Sequence, residues 1–310
     1  MILIRTGDCQ AGTETALANL DAIGESSFAY ARAGVGFVDG ATTILVGLGN
    51  WTNSYTHPCE VYVYTYDIAT DSYSSLTRTL IDILPTLTYP GSQPGQILYD
   101  GDVSSFVTRF AEGSPNIVAM YDLTGASIKS LTWGGAFPGN VVVARRGTNT
   151  IMGNSDGTPA ALRRWATTGG SSTLTSPSTA RKWQILHIHK DETYLYGLLD
   201  GGATIYQYDM ATLTEQTSFA VPTGGAVIGR LFSHTNNPNI WYASTFNATT
   251  KRVYEQVQGA WVLRHTITGS FNVDSLHNYI DFEGSTLYDF YNESDPSQQA
   301  WKIDPLGCNG

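Results

Sequence analysis

The chain has 310 residues, of which 42% are hydrophobic and only 14% charged; charge is sparse beside the roughly 25% of an average soluble domain. Apolar content at this level excludes a disordered chain. With 17 Lys and Arg against 27 Asp and Glu, the net charge is −10, so no nucleic-acid partner is expected: phosphate binding needs the opposite sign.

Taken from the start, Ile2-Leu-Ile-Arg5 has the pattern of a short strand. Leu17, Leu20 and Ile23 recur at spacing three behind Thr13 or Thr15, and Gly24 follows, which predicts a short helix over 13–23. Gly34-Val-Gly-Phe-Val-Asp-Gly40 has the glycines of a phosphate loop but leads into no helix, so the anion-binding helix end is missing. Asn50-Trp-Thr-Asn-Ser-Tyr-Thr-His-Pro-Cys59 is a long loop carrying Trp51, Tyr55 and His57, candidate binding residues for a sugar face or a protein partner. Strand-like runs follow: Val61-Tyr-Val-Tyr-Thr-Tyr66, Asn140-Val-Val-Val-Ala144 and Thr193-Tyr-Leu-Tyr-Gly-Leu-Leu199. They are rich in the β-branched and aromatic residues that fit a pleated surface.

A degenerate unit runs through these strands. Tyr66-Asp-Ile-Ala-Thr-Asp, Tyr121-Asp-Leu-Thr-Gly and Tyr208-Asp-Met-Ala-Thr share an aromatic, an acidic residue and a polar turn. Weaker copies start at Trp165 and Tyr254, and a truncated one at Ile303, with intervals of 55, 44, 43, 46 and 49 residues from Tyr66 onward. The Asp is expected to start the turn by accepting a backbone N–H two residues on. Units of 40–50 residues with several short strands resemble the blades of the six-bladed β-propeller superfamily. The Gly-His and Trp-Asp pairs, a double glycine at regular spacing and the complete Asp-box of its sharper families are absent.

That resemblance implies one all-β domain over 1–310, a six-bladed propeller of four-stranded antiparallel blades. The blades fall at about 27–80, 96–133, 140–176, 183–222, 227–268 and 273–306, the last completed by residues 1–6. Residues 1–26 are then a closing strand plus a short linker or helix, and zipping the first strand onto the last blade removes two exposed edges.

His187 and His189 lie two apart on a strand and so face one way, the spacing at which two imidazoles can share a metal. With His234 and His277 near the next inner strands, they are read as channel-lining residues instead, and no metal or cofactor is expected. Asp100, Asp102, Asp281 and Glu283 lie near inner strands, where turn chemistry is the favoured role over paired catalytic carboxylates. No Gly-x-Ser-x-Gly elbow occurs, so no catalytic residue is assigned. Arg145, Arg146, Arg163, Arg164, Arg181 and Lys182 are expected to be solvated at strand ends. Cys9, Cys59 and Cys308 lack metal-ligand spacing and are read as free thiols, a link between Cys9 and Cys308 being the alternative.

No apolar run approaches the ~18 residues of a membrane helix, and no leader pattern is seen, so neither membrane insertion nor a signal peptide is expected. A surface of Thr, Ser, Gly, Asn and Tyr with five lysines resembles virion and extracellular adhesion proteins. The expectation is a non-enzymatic virion structural or adhesion protein, a phage tail or capsid-surface component. It would contact other virion or surface proteins and host glycan. The alternatives are a carbohydrate-binding lectin propeller and a polysaccharide-active hydrolase or lyase at the channel mouth.

Overall fold

The computed structural model describes 24 strands and the turn residues 69–70, 126, 147, 189, 191–193, 202–203, 210–214, 221–222 and 259. Among these residues all regular structure is antiparallel β-sheet and there is no helix. A first strand, β1 (Thr13–Ala16), is set apart from the rest. Then come β2 (Ala31–Phe37), β3 (Thr43–Asn50), β4 (Glu60–Asp67) and β5 (Ser72–Asp82) as one four-stranded meander. The second is β6 (Gln93–Leu98), β7 (Ser105–Ala111), β8 (Asn116–Asp122) and β9 (Ser127–Trp133). The third is β10 (Val141–Arg146), β11 (Asn149–Asn154), β12 (Leu162–Ala166) and β13 (Thr173–Thr175). The fourth is β14 (Trp183–Ile188), β15 (Tyr194–Leu199), β16 (Thr204–Asp209) and β17 (Glu215–Ala220). The fifth is β18 (Val227–Ser233), β19 (Trp241–Asn247), β20 (Thr250–Val257) and β21 (Ala260–Ile267). The last holds β22 (Tyr279–Glu283), β23 (Thr286–Phe290) and β24 (Ala300–Asp304), with β1 as its fourth strand.

The opening segment therefore completes the last sheet, but through Thr13–Ala16, paired as Thr13↔Asp304 and Ala16↔Trp301. This corrects two expectations. Ile2–Arg5, expected as the closing strand, lies outside the described residues, and the expected helix over 13–23 begins instead as strand. The physical reason is the free edge of β24: four residues on that edge gain ladder hydrogen bonds that a short isolated helix does not match.

Each repeat position falls on the third strand of its sheet: Tyr66 on β4, Tyr121 on β8, Trp165 on β12, Tyr208 on β16, Tyr254 on β20 and, in place of an aromatic, Ile303 on β24. Beside Tyr121, Tyr208 and Tyr254 the fourth strand carries one extra residue, respectively Ile128, Gln216 and Arg264. The unit is thus a structural repeat as well as a sequence one. The turn role of the Asp holds with variable reach. Asp67 accepts from the Ala69 N–H two residues on, at 2.8 Å. Asp209 accepts from Thr212 at 2.7 Å and Asp122 from Ala126 at 2.9 Å, three and four residues on.

Side chains from both faces of the fourth sheet are buried. Trp183, Leu186, Leu195 and Tyr208 pack with Val142, Ala144, Ile151 and Leu162 of the third sheet. Tyr196, Leu198 and Ile205 pack with Ile228, Leu231, Trp241 and Ala243 of the fifth. Alternation along β15 sends Leu195 one way and Tyr196 the other, which is why its sequence is apolar at successive positions. The first strands of neighbouring sheets adjoin: β2 with β6, β6 with β10, β10 with β14, β14 with β18, β18 with β22, and β22 with β2.

Candidate functional site

The most developed polar constellation among the described residues lies where the first strands of the fourth and fifth sheets meet. His187, half-buried on β14, has its Nε2 2.5 Å from Ser233 Oγ at the end of β18. Two residues along the same strand path, His189 is fully buried, and its Nδ1 is 2.9 Å from Asp191 Oδ1. Asp191 also accepts from the Thr193 N–H at 2.9 Å, folding the turn between β14 and β15. Burial works against the Asp191 carboxylate, but the Thr193 N–H and neighbouring His189 outweigh it and hold the group below the usual carboxylate range.

Tyr196 is the common wall. Its ring stacks on His187 at 6.5 Å and meets His189 at 6.0 Å, and it lies face to face with Trp241 at 4.6 Å. Gln207 Nε2 donates to the Tyr196 hydroxyl at 3.3 Å. Burial, with the Asp191 charge behind it, pushes the Tyr196 phenol well above its ordinary value, so it stays protonated. Trp241 continues through Phe219 and Trp261, and Trp261 Nε1 donates to the Ala220 carbonyl at 2.7 Å. An aromatic wall thus runs from the second strand of the fourth sheet out to the last strand of the fifth.

The rings of His187 and His189 both lie near Tyr196, and each makes a hydrogen bond to a different group. Ser233 meets one imidazole and Asp191 the other. Among the described residues no three His, Cys, Asp or Glu side chains group as metal ligands. Asp281 and Glu283 lie on β22, a first strand. His234, His277, Trp51, Tyr55, His57, Asp100, Asp102 and the three cysteines lie outside the described residues.

Two arginines correct the sequence reading. Arg145 and Arg146, expected in solvent, are buried to 1% and 8% exposure at the end of β10. β10 adjoins both β7 and β14, so strands of the neighbouring sheets flank it on either side. Nearby, the turn after Arg146 meets Glu192, whose Oε2 accepts from Asn149 Nδ2 at 2.6 Å.

Sequence reasoning also missed Glu255. It follows Tyr254 as Asp209 follows Tyr208, yet it is 2% exposed and paired with Arg264, the extra residue of β21. Burial raises its carboxyl above the ordinary range, opposed by the Arg264 charge. Its signal in the sequence is the lack of a turn directly after it. Here the strand runs on to Val257 and closes through Gly259 at φ 84°.

The outer strands differ in character. Among the described residues, the exposed large hydrophobic side chains are Ile128, Val262 and Leu263, all on fourth strands, β9 and β21. β17 is exposed at every position except the half-buried Phe219.

No protein-family model matches the chain, and no curated protein matches it. Among solved structures it is similar to a chain of the structure titled "Crystal Structure of Mitotic Checkpoint Complex". The identity is 10%, the match covers 98% of this chain and 94% of that one, and the TM-score is 0.48.

Proposed function

We propose that the sheets are the blades of a closed six-bladed propeller, and that the chain is a structural or adhesion component of a virion surface, in a phage tail or capsid. Ring closure is supported by the cyclic succession of first-strand contacts and by β1 completing the last sheet. The role rests on one observation: Ile128, Val262 and Leu263 lie exposed on outermost strands. Such strands end a sheet with unpaired N–H and C=O groups, which proteins guard with charge unless a partner is meant to cover them. Arg264, the cation best placed to guard β21, turns inward to Glu255 instead. The rim of the fifth blade is therefore an apolar edge suited to another protein.

The experiment is assembly of the doubly substituted Val262→Lys, Leu263→Lys chain. Exposed positions on a rim carry little folding energy, so its stability should stay within about 0.5 kcal/mol of the parent. Its copurification with the assembled particle should fall at least tenfold. A parent chain found only as a free monomer, or a variant that assembles like the parent, refutes the reading.

A further inference from the structure

We propose that Ser233 is a reactive hydroxyl, with His187 as its base, that accepts acyl or phosphonyl groups. The inference is independent of the rim reading: it concerns first strands β14 and β18, at the opposite side of each sheet from β17 and β21. It starts from the 2.5 Å approach of Ser233 Oγ to His187 Nε2, within hydrogen-bond reach for proton transfer. The Nε2 of a neutral imidazole accepts the hydroxyl proton when Nδ1 carries its own.

The imidazole is held for that task. Its ring lies against Tyr196 with 23° between planes, and Tyr196 is itself fixed by Trp241 and by Gln207. Ser233 itself is buried at 5% exposure and His187 is half-buried, so a reagent reaches the hydroxyl past the imidazole.

With a fluorophosphonate, Ser233 Oγ forms a bond to phosphorus and its proton passes to His187. The P–F bond breaks, fluoride leaves with the bonding pair, and the proton is lost to buffer. With an ester, the Oγ–carbon bond forms and the alcohol departs carrying the proton from His187. Water then attacks the acyl group by the reverse proton path, restoring the hydroxyl.

The test is incubation of the intact chain with a biotinylated fluorophosphonate, read by intact mass and peptide mapping. One adduct is expected, on Ser233, with a labelling rate that rises with pH as the base loses its proton. Ser233→Ala should remove the adduct, and His187→Gln should slow labelling by about 100-fold or more. Mapping, the pH profile and a comparison with the chain in 8 M urea need no variant to fold. No adduct, an adduct mapped elsewhere, a rate unchanged by urea, or a His187→Gln rate equal to the parent's overturns the proposal.

Discussion

Trp183 shows how single residues fix the spacing of sheets. It is fully buried at the start of β14, and its ring meets Tyr208 edge-on at 5.7 Å. Two glycines make room for it. A Cβ on Gly197, beside it on β15, would sit 2.3 Å from the indole, and one on Gly153, across on β11, would sit 2.6 Å away. The obstacle in both cases is a large ring held on all sides, not the tip of a flexible side chain. Gly197→Ala should therefore cost about 1–3 kcal/mol in chemical denaturation, the usual penalty for overpacking; a cost below 0.5 kcal/mol would mean that the ring is free to move. The run Thr193-Tyr-Leu-Tyr-Gly-Leu-Leu marks a buried strand from sequence alone, but nothing in it says why a glycine interrupts it. The reason is a tryptophan fourteen residues earlier, set opposite Leu199 by the register and leaning over Gly197 two residues away.

At the scale of the element, the repeat unit was legible and its exceptions were not. Tyr-Asp pairs locate the third strand because Asp supplies a turn acceptor that other residues lack, as Asp67 and Asp209 show. In the fifth sheet the same slot after the tyrosine holds Glu255, which pairs with Arg264 across the β20–β21 ladder. Breaking a buried pair strands the remaining charge, at roughly 3–5 kcal/mol. Arg264→Met should thus destabilise the chain near the low end of that range at pH 7, because proton uptake by Glu255 limits the loss. The sign of the pH dependence follows from the raised carboxyl. When a folded-state pKa lies above the unfolded one, stability is full below the unfolded value and falls as pH rises through the folded value. Arg264→Met removes the opposing charge and pushes the Glu255 pKa higher still. Its deficit should then shrink toward pH 4 and grow toward neutrality, as measured by urea midpoints across pH. A deficit independent of pH would remove Glu255 as its cause. The buried state of Arg145 and Arg146 was illegible for a related reason: a strand end counts as solvent-exposed until the neighbouring sheet is placed over it.

For the whole molecule the deciding element is β1, since four residues join the two ends of the chain. Alternating apolar runs made the all-β class legible, and the truncated unit at Ile303 pointed to a missing fourth strand. Which segment fills it was not legible, because Ile2–Arg5 and Thr13–Ala16 are both short and the open edge of β24 selects by register rather than by hydrophobicity. Thr13-Glu-Thr-Ala16 is a polar strand, with Thr15 exposed, set opposite Trp301 to Asp304. Its contribution is chiefly backbone pairing on an edge. Replacing these four residues by Gly-Gly-Ser-Gly should cost roughly 1.5–3 kcal/mol, taking about 0.5–1 kcal/mol for each of the three glycines introduced. How that loss spreads is the sharper measurement. In a closed ring β22 leans on β2 as well as on β18, so loosening the last sheet removes support from the first. Amide hydrogen exchange should then accelerate in β2–β5 along with β22–β24, while the third and fourth sheets change least. Acceleration confined to β22–β24 would describe an open row of sheets whose end frays alone, and the closed propeller would fall with it.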